Sequence, residues 1–558
     1  MIGMNKITMY ELDELLRRTD GKRYSVYKKL RELIIDYGNA EAVFTKVQGD
    51  PHAPPSVIEI VIPSRAHKLS KTLFKQEYYI PLTDYISRAL YRITKKLSKR
   101  CGSGYSCYIG IPRPGPWILK RSCAEIKDRD IVLRIYIGLP ARGRRILGDR
   151  ARKLLLESIP KIINTIISLR NNEEEIEKHI ECYLDQEYLR QWLYENNYAF
   201  FIADRSILPR ESSISEKPMA NAIPFKSPKS FKVAVKLPSG KLVTGMAMPM
   251  GVILITGGGY HGKTTLLEAI QEGIYNHIKG DGREYIVSRK YTIMVRAEDG
   301  RIVSSVDISS FIEQLPMNSD TIKYSSLDAS GSTSMAASIN EAIEAGAELI
   351  LIDEDTSATN LLFKDNVMAK IITKEPIRPL CLQVRDLVRK TKASVIIVAS
   401  ASSSFLGVAD KIILMEDYIP RDITPKVKEN VPHKIELDYK LPKNRIFHGI
   451  KGLRRIRAKG YKIAAEYIDG VKFELDLSYY PRIVEKGQVK FIAHIVEKIS
   501  QLKRPMSIHE LINYINKLIY EKGFSGFVHP VPPDLTIVDG FDVIWVLNRL
   551  YNTVFTHT

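Results

Sequence analysis

Apolar residues are distributed along this chain in two ways. From Leu154 to Asn197 (LLLESIPKIINTIISLRNNEEEIEKHIECYLDQEYLRQWLYENN) they recur at helical spacing, with acidic residues crowding the second half, and predict a helical connector. SRALYRITKKLSKR is amphipathic in the same period. GVILIT, ELILID and SVIIVA are instead unbroken apolar runs of strand length, as expected for buried strands of an open α/β sheet, and TTLLEAI and MAASINEAIEAG continue as helices. Two polar, proline-dotted stretches, LPRESSISEKPMANAIPFKSPKS and KVKENVPHKIELDYKLPKNR, punctuate the chain. A length of 558 residues exceeds what one hydrophobic core supports. The pattern predicts a basic N-terminal domain over 1–170, an α/β domain over 171–435 and a C-terminal domain over 436–558, with no internal repeat.

Composition narrows the class. With 44% hydrophobic and 26% charged residues and no apolar run of membrane-spanning length, the chain reads as a globular protein without a membrane span. MIGMNKITMYELDELL lacks the apolar stretch of a secretory signal, so a cytoplasmic location is expected. The five cysteines (Cys101, Cys107, Cys123, Cys182, Cys381) form no C-x-x-C pair and read as reduced structural thiols.

A net charge of +19 points to an anionic polymer. From Arg65 to Lys153 there are twenty-two Lys and Arg against six Asp and Glu, interleaved with Phe74, Tyr78, Tyr79, Tyr85, Tyr91, Tyr105, Tyr108, Trp117 and Tyr136. Phosphate-seeking charge among flat stacking surfaces is the composition of a single-strand-binding face; half-buried core tyrosines beside a solvated lysine face give the same letters. A second basic run, Arg454, Arg455, Arg457, Lys459 and Lys462, opens the last unit.

The sharpest chemistry lies at Gly257-Gly258-Gly259-Tyr260-His261-Gly262-Lys263-Thr264-Thr265, which satisfies G-x-x-x-x-G-K-[ST] between a strand and a helix. Glycines let the backbone N–H groups converge on phosphate oxygens, and the helix adds its positive end. Lys263 is expected to reach the β- and γ-phosphates, Thr264 to ligate Mg²⁺ and Thr265 to bond near the α-phosphate. About ninety residues on, the strand ending Asp353-Glu354 delivers two carboxylates, Asp353 for the metal and Glu354 as general base toward an attacking water. Asp328-Ala-Ser-Gly-Ser-Thr-Ser334 begins a helix about twenty residues before that strand, and Ser357-Ala-Thr-Asn360 follows the acids.

GGGYHGKTTLLEAI, YNHIKGDGRE, VRAEDGR, DASGSTS, EAGAELILIDEDTSATN and ADKIILMEDY, with VQGDPHAPPS, GLPARGRRILG and ILPRESS nearer the N-terminus, resemble the family called predicted ATPases of the ABC class over nearly the whole chain. The resemblance implies an ABC-type P-loop NTPase core with an α+β N-terminal domain and a small α+β C-terminal domain. It also implies ATP and Mg²⁺ as ligands and a head-to-tail homodimer with two ATP at the interface. Ser330, Gly331 and Ser332 then form the signature that clamps the partner's γ-phosphate, and Ser357 and Asn360 lie in the D-loop.

Departures from ordinary ABC ATPases bear on mechanism. Serine, read as Ser400, stands where a switch histidine is usual, which implies slow hydrolysis or another phosphate sensor. Ser332 replaces a second signature glycine. No clear Q-loop glutamine is present; Glu298 or Asp299 in Arg296-Ala-Glu-Asp-Gly-Arg301 is a candidate metal ligand with the arginines as phosphate contacts, against the alternative of a charged Asp-Gly hairpin turn. His261 suits packing or nucleotide contact, and Phe225 or Phe231 is available to stack on adenine. The interval from Lys263 to Gly331 is too short for a transporter's helical insertion, which argues against transport. Two functions compete: an ATPase whose closure holds single-stranded nucleic acid, with RNA slightly favoured over DNA, and a slow nucleotide-gated switch organising protein or ribosomal partners. A repair ATPase of the structural-maintenance type lacks the heptad arms it needs.

Overall fold

The computed structural model describes residues 5–316, 319–364, 371, 374–400, 402–431, 436–502 and 504–557. Residues 1–4 of the N-terminal stretch, Ala401 beside the switch position and residues 432–435 of the second polar stretch lie outside them. The chain divides into two compact units, one of Met1–Tyr183, Glu485–Phe491 and Lys522–Ile537, the other of Leu184–Val484, Ile492–Glu521 and Val538–Thr558. The C-terminal segment thus contributes to both.

The first unit is built on a seven-stranded sheet in the order Asn5–Thr8, Leu33–Asp36, Glu41–Lys46, Ser56–Ile62, Asp130–Ile137, Ile109–Gly110, with Ala124–Lys127 also paired to Asp130–Ile137. The amphipathic segment noted in the sequence forms the end of a helix over Tyr79–Leu97, which buries Leu82, Ile86, Ala89 and Leu90 and leaves Arg92, Lys95 and Lys96 exposed. Asp84 on the same helix is wholly buried and accepts hydrogen bonds from Arg88 (2.7 Å), His179 (2.9 Å) and Arg121. Arg121 also donates to Glu485 at 2.6 Å. Burial alone would raise the Asp84 carboxyl, but Arg121, Arg88 and His179 hold it well below the usual carboxylate range.

One expectation is corrected here. Cys101 and Cys107 are joined by a disulfide, because the loop after the long helix turns back through Gly104 and through Cys107 at φ 62° and brings the two Cα atoms to 5.6 Å. Cys123, Cys182 and Cys381 form no disulfide and are buried.

The second unit holds the P-loop motif on a six-stranded sheet. Its elements in chain order are β1 (Val252–Thr256), α1 (Lys263–Glu272), β2 (Thr292–Val295), β3 (Arg301–Val306), β4 (Tyr324–Ala329), α2 (Gly331–Glu344), β5 (Leu349–Asp353), β6 (Ser394–Val398), β7 (Lys411–Glu416), β8 (Ile419–Asp422) and α3 (Gly540–Leu547). The sheet order is β2-β5-β6-β1-β7-β8, parallel except for the β7–β8 hairpin. Central parallel strands are covered on both faces, which is why β1, β5 and β6 are near-continuous Val, Ile and Leu. Leu266, Leu267 and Ile270 of α1 pack into the core formed by these strands with Phe200, Ile202, Met246 and Met248 of a neighbouring four-stranded antiparallel sheet. β3 and β4 form a separate two-stranded hairpin.

Candidate functional site

Between Thr256 and Lys263 the chain must leave the end of an inner strand and enter a helix within six residues, and the backbone conformations this demands explain the glycines. Gly257 sits at φ +137°, so close to the β7 backbone that a Cβ would lie 2.3 Å from the Met415 carbonyl oxygen. Gly262 adopts φ +87° at the N-cap of α1, with the Tyr418 ring 3.1 Å from where its Cβ would stand. Tyr260 has φ 62° and is 98% exposed. His261 ties the loop down: the Asp417 N–H donates to its Nδ1 at 2.8 Å. The Lys263 ammonium curls over the loop and donates to the carbonyls of Gly257 (3.0 Å) and Gly258 (2.6 Å), two of its three donor directions. Loop amides, the first turn of α1 and this ammonium are the groups that a cradle for an anion requires.

The acidic strand meets that cradle. Thr264, the second residue of α1, donates from its hydroxyl to Asp353 Oδ2 at 2.9 Å, while the other Asp353 oxygen accepts from the Asp355 N–H. β6 lies between β1 and β5 and delivers Ser400, whose N–H donates to Glu354 Oε2 at 2.7 Å. The switch position thus meets Glu354 through its backbone, a contact separate from the γ-phosphate bond expected of the Ser400 hydroxyl. Ser357 Oγ donates to the Asp353 carbonyl at 2.7 Å and shapes the turn that follows.

β4 runs directly into α2, whose first turn is Gly331-Ser332-Thr333 after Ser330 at φ −66°, ψ 165°. The Ser330 hydroxyl does not cap the helix amides; it lies 3.0 Å from Thr333 Oγ1. Ser332 Oγ donates to Asn360 Oδ1 at 2.9 Å, so the structure brings together two positions that the sequence placed in separate motifs.

Residues 172–451 match the P-loop domain of the ABC_ATPase family, and residues 9–170 match the domain described as ATPase of the ABC class N-terminal. The chain belongs to the ABC-class ATPases. Residues 462–556 of this ABC-class protein match the MRB1590 C-terminal domain. An uncharacterized protein of Methanocaldococcus jannaschii is 35% identical over 375 residues, covering 63% of this chain and 77% of that protein. Among the described residues no helix is long and apolar enough to cross a membrane.

Within this ABC-class core, Glu298 is placed away from the role considered for it. Both of its carboxylate oxygens accept from Arg549, at 2.9 and 2.5 Å, and Arg301, considered as a phosphate contact, is buried against Glu341 at 2.8 Å. A carboxylate committed to a buried guanidinium is a poor metal ligand, and this corrects the reading of Glu298. Burial pushes its carboxyl up, but Arg549 outweighs that and brings it down to about 2. Asp299-Gly300 is a turn, with Gly300 at φ +81°, but it joins β2 to β3, which pair in different sheets, and so is not a hairpin.

A cleft of about 410 Å³ opens beside Gly262 and Thr265, walled by Leu208, Ile223, Phe225, Met415 and Tyr418. Both phenylalanines considered for base stacking are buried in the main core; Phe225 also lines this cleft, whereas Phe231 does not. Sequence reasoning missed Tyr418, which is 53% exposed and takes φ 65° in the β7–β8 turn. The available signal was the Asp417-Tyr418 pair at the end of ADKIILMEDY, two residues that only a tight turn reads as a unit.

Proposed function

We propose that this chain binds ATP with Mg²⁺ in the P-loop cradle, hydrolyses it, and closes head-to-tail with a second copy around two ATP. Closure then governs its hold on single-stranded nucleic acid, RNA in preference to DNA. The observation that carries the nucleotide part is the convergence of Thr264, Asp353 and Glu354 beneath the P-loop, with Thr264 and Asp353 2.9 Å apart. Two hard oxygen donors on one side of an anion cradle suit Mg²⁺, which when bound supplies charge neutralisation to the phosphates. Lys263 and the loop amides orient the β- and γ-phosphates. Glu354, steadied by the Ser400 amide, is placed to take the proton of an attacking water. Phe225 and Tyr418 flank the apolar slot for the base, and His261 fixes the loop rather than acting on substrate. Ser330, Gly331 and Ser332 at the start of the 14-residue helix α2 supply amides and hydroxyls to the γ-phosphate bound by the other copy, beside Ser357 and Asn360.

The nucleic-acid part is supported by one surface of the first unit. Lys95, Lys96, Lys99 and Arg100 are exposed at the end of the long helix. The loop that follows carries Tyr105, 46% exposed, and docks on the Ala141–Ile146 hairpin through Ser103 N–H to Ala141 O and Gly143 N–H to Ser103 Oγ, each 2.8 Å. That hairpin presents Arg142, Arg144 and Arg145 to solvent. Basic side chains beside the exposed Tyr105 ring suit an unpaired strand better than a duplex.

The test uses Glu354→Gln to trap the closed state. Labelled single-stranded RNA and DNA are titrated with and without ATP while the oligomeric state is followed. Tighter polymer binding with ATP, alongside a monomer-to-dimer shift, is expected, with a log–log salt slope of about −3 if roughly four phosphates are neutralised. Charge reversal at Lys95, Lys96, Lys99 and Arg100 should flatten that slope. ATP-driven dimerisation without polymer binding would instead establish the protein-directed switch, and absence of both would overturn the reading.

A further inference from the structure

The loop between β2 and β3, Arg296–Gly300, touches two working parts at once, the turn before Ser357 and the first turn of α2. Ala297 N–H donates to the Thr356 carbonyl at 2.9 Å, one residue before Ser357. Glu298 N–H donates to Ser334 Oγ at 2.9 Å, and Ser334 Oγ donates in turn to the Gly331 carbonyl at 2.9 Å, inside the first turn of α2. Asp299 lies against Gly331, its Oδ1 3.0 Å from where a Cβ would be. What fixes this loop from the other side is Arg549, just beyond α3 in the C-terminal segment.

Arg549 is 3% exposed, stacks on the Trp545 ring at 3.8 Å, and grips Glu298 through two nitrogens while also donating to Ser338 on α2 at 3.1 Å. Arg301 completes the arrangement by donating to Glu341 (2.8 Å) and to the Ser334 carbonyl (3.2 Å). Two arginines and two glutamates thus balance in charge around one turn of α2. Such a network has one well-defined geometry, because displacing any member leaves a buried charge without its partner.

We infer that Arg549 is a positioning residue for the signature turn: through Glu298 and Ser338 the C-terminal segment sets where Ser330–Ser332 and the Ser357 turn present themselves to the nucleotide of a second copy. The inference rests on the sandwich-dimer reading. It assigns the C-terminal segment to the trans half of the site, and leaves nucleotide binding in cis to β1, α1 and β5.

Arg549→Met and Glu298→Gln are made in the full chain, each with Arg549→Lys as the conservative comparison. A fluorescent ATP analogue reports cis binding, sedimentation reports ATP-driven dimerisation in the Glu354→Gln background, and steady-state hydrolysis reports kcat. Expected are nucleotide affinity within about twofold of the parent, kcat and dimerisation reduced at least about tenfold, and partial recovery in Arg549→Lys. Mixing Arg549→Met with a Lys263→Ala chain should restore hydrolysis toward that of one site. One composite site then has an intact P-loop from the first chain and an intact signature from the second. Unchanged kcat and dimerisation in Arg549→Met and in Glu298→Gln, loss of cis nucleotide binding in both, or no recovery on mixing would overturn the inference. If the Glu354→Gln parent itself fails to dimerise with ATP, the sandwich reading falls and takes this one with it.

Discussion

Replacing Gly257 by alanine isolates what the first P-loop glycine does. The added Cβ would lie 2.3 Å from the Met415 carbonyl oxygen and 3.2 Å from both the Met415 amide nitrogen and its carbonyl carbon. Those atoms belong to β7, which pairs with β1 on one side and β8 on the other, so the neighbour cannot retreat by an ångström without breaking a ladder. Overpacking of this kind costs about 1–3 kcal/mol, and holding an L-residue at φ +137° adds about 1–3 kcal/mol more. The sum, roughly 2–6 kcal/mol, is a large share of the 5–15 kcal/mol typical of a folded protein. Gly259 is the matched control, since nothing lies within 4 Å of its Cβ position and its φ is not positive. Thermal unfolding and ATP titration of the two variants make the comparison. Gly257→Ala should melt at least ~5 °C lower or lose ATP binding by more than about tenfold, while Gly259→Ala stays near the parent in melting. A Gly257→Ala protein with parental melting and parental affinity would refute the steric argument.

Three further outcomes follow from the site. Tyr418→Ala should weaken ATP binding about fivefold to tenfold by calorimetry, about 1 kcal/mol from a half-exposed ring, with Tyr418→Phe near the parent; equal affinity in all three proteins would remove Tyr418 from the base slot. Ser400→Ala should keep most of kcat, because the N–H that holds Glu354 remains, whereas Ser400→Pro should lower kcat by about tenfold or more. The reverse order would return the role to the hydroxyl. Glu298 is held at about 2, below its ordinary 4.5, so the stability it contributes is present above pH ~4.5 and is lost as pH falls toward 2. At 27% exposure that contribution is about 2 kcal/mol, and Glu298→Gln should flatten acid unfolding followed by circular dichroism across this window; an unchanged profile would show that the ion pair contributes nothing.

The core strands were legible because strands covered on both faces have no polar side to show, so GVILIT, ELILID and SVIIVA stand out as unbroken apolar runs. The P-loop was legible because its letters report backbone demands, as Gly257 and Gly262 do by their φ angles. The walls of the cleft proposed for the base, apart from Phe225, were hidden for the opposite reason. Ile223 and Phe225 sit in a polar, proline-dotted stretch that reads as a linker, and they are fixed by backbone bonds from Arg205 N–H to Phe225 O (2.8 Å) and from Phe225 N–H to Ser206 O (2.9 Å). No periodicity announces such pairing. Glu298 misled for a related reason: an acid near the P-loop in sequence invites a metal, while its partner Arg549 lies 251 residues away.

The same distinction decides how much the missing histidine means. A side chain at the switch position is visible in a sequence, but the contact at this site is an amide, Ser400 N–H on Glu354, which any residue other than proline supplies. His261 likewise receives an amide, from Asp417, and the cradle itself is made of loop amides. Where backbone atoms hold the proposed general base and shape the proposed phosphate site, the absence of one imidazole leaves Glu354 oriented. Slow turnover therefore cannot be inferred from serine at position 400 alone. On the proposed sandwich it has to be argued from what positions the signature turn, and in this fold that passes through Ser334, Glu298 and Arg549.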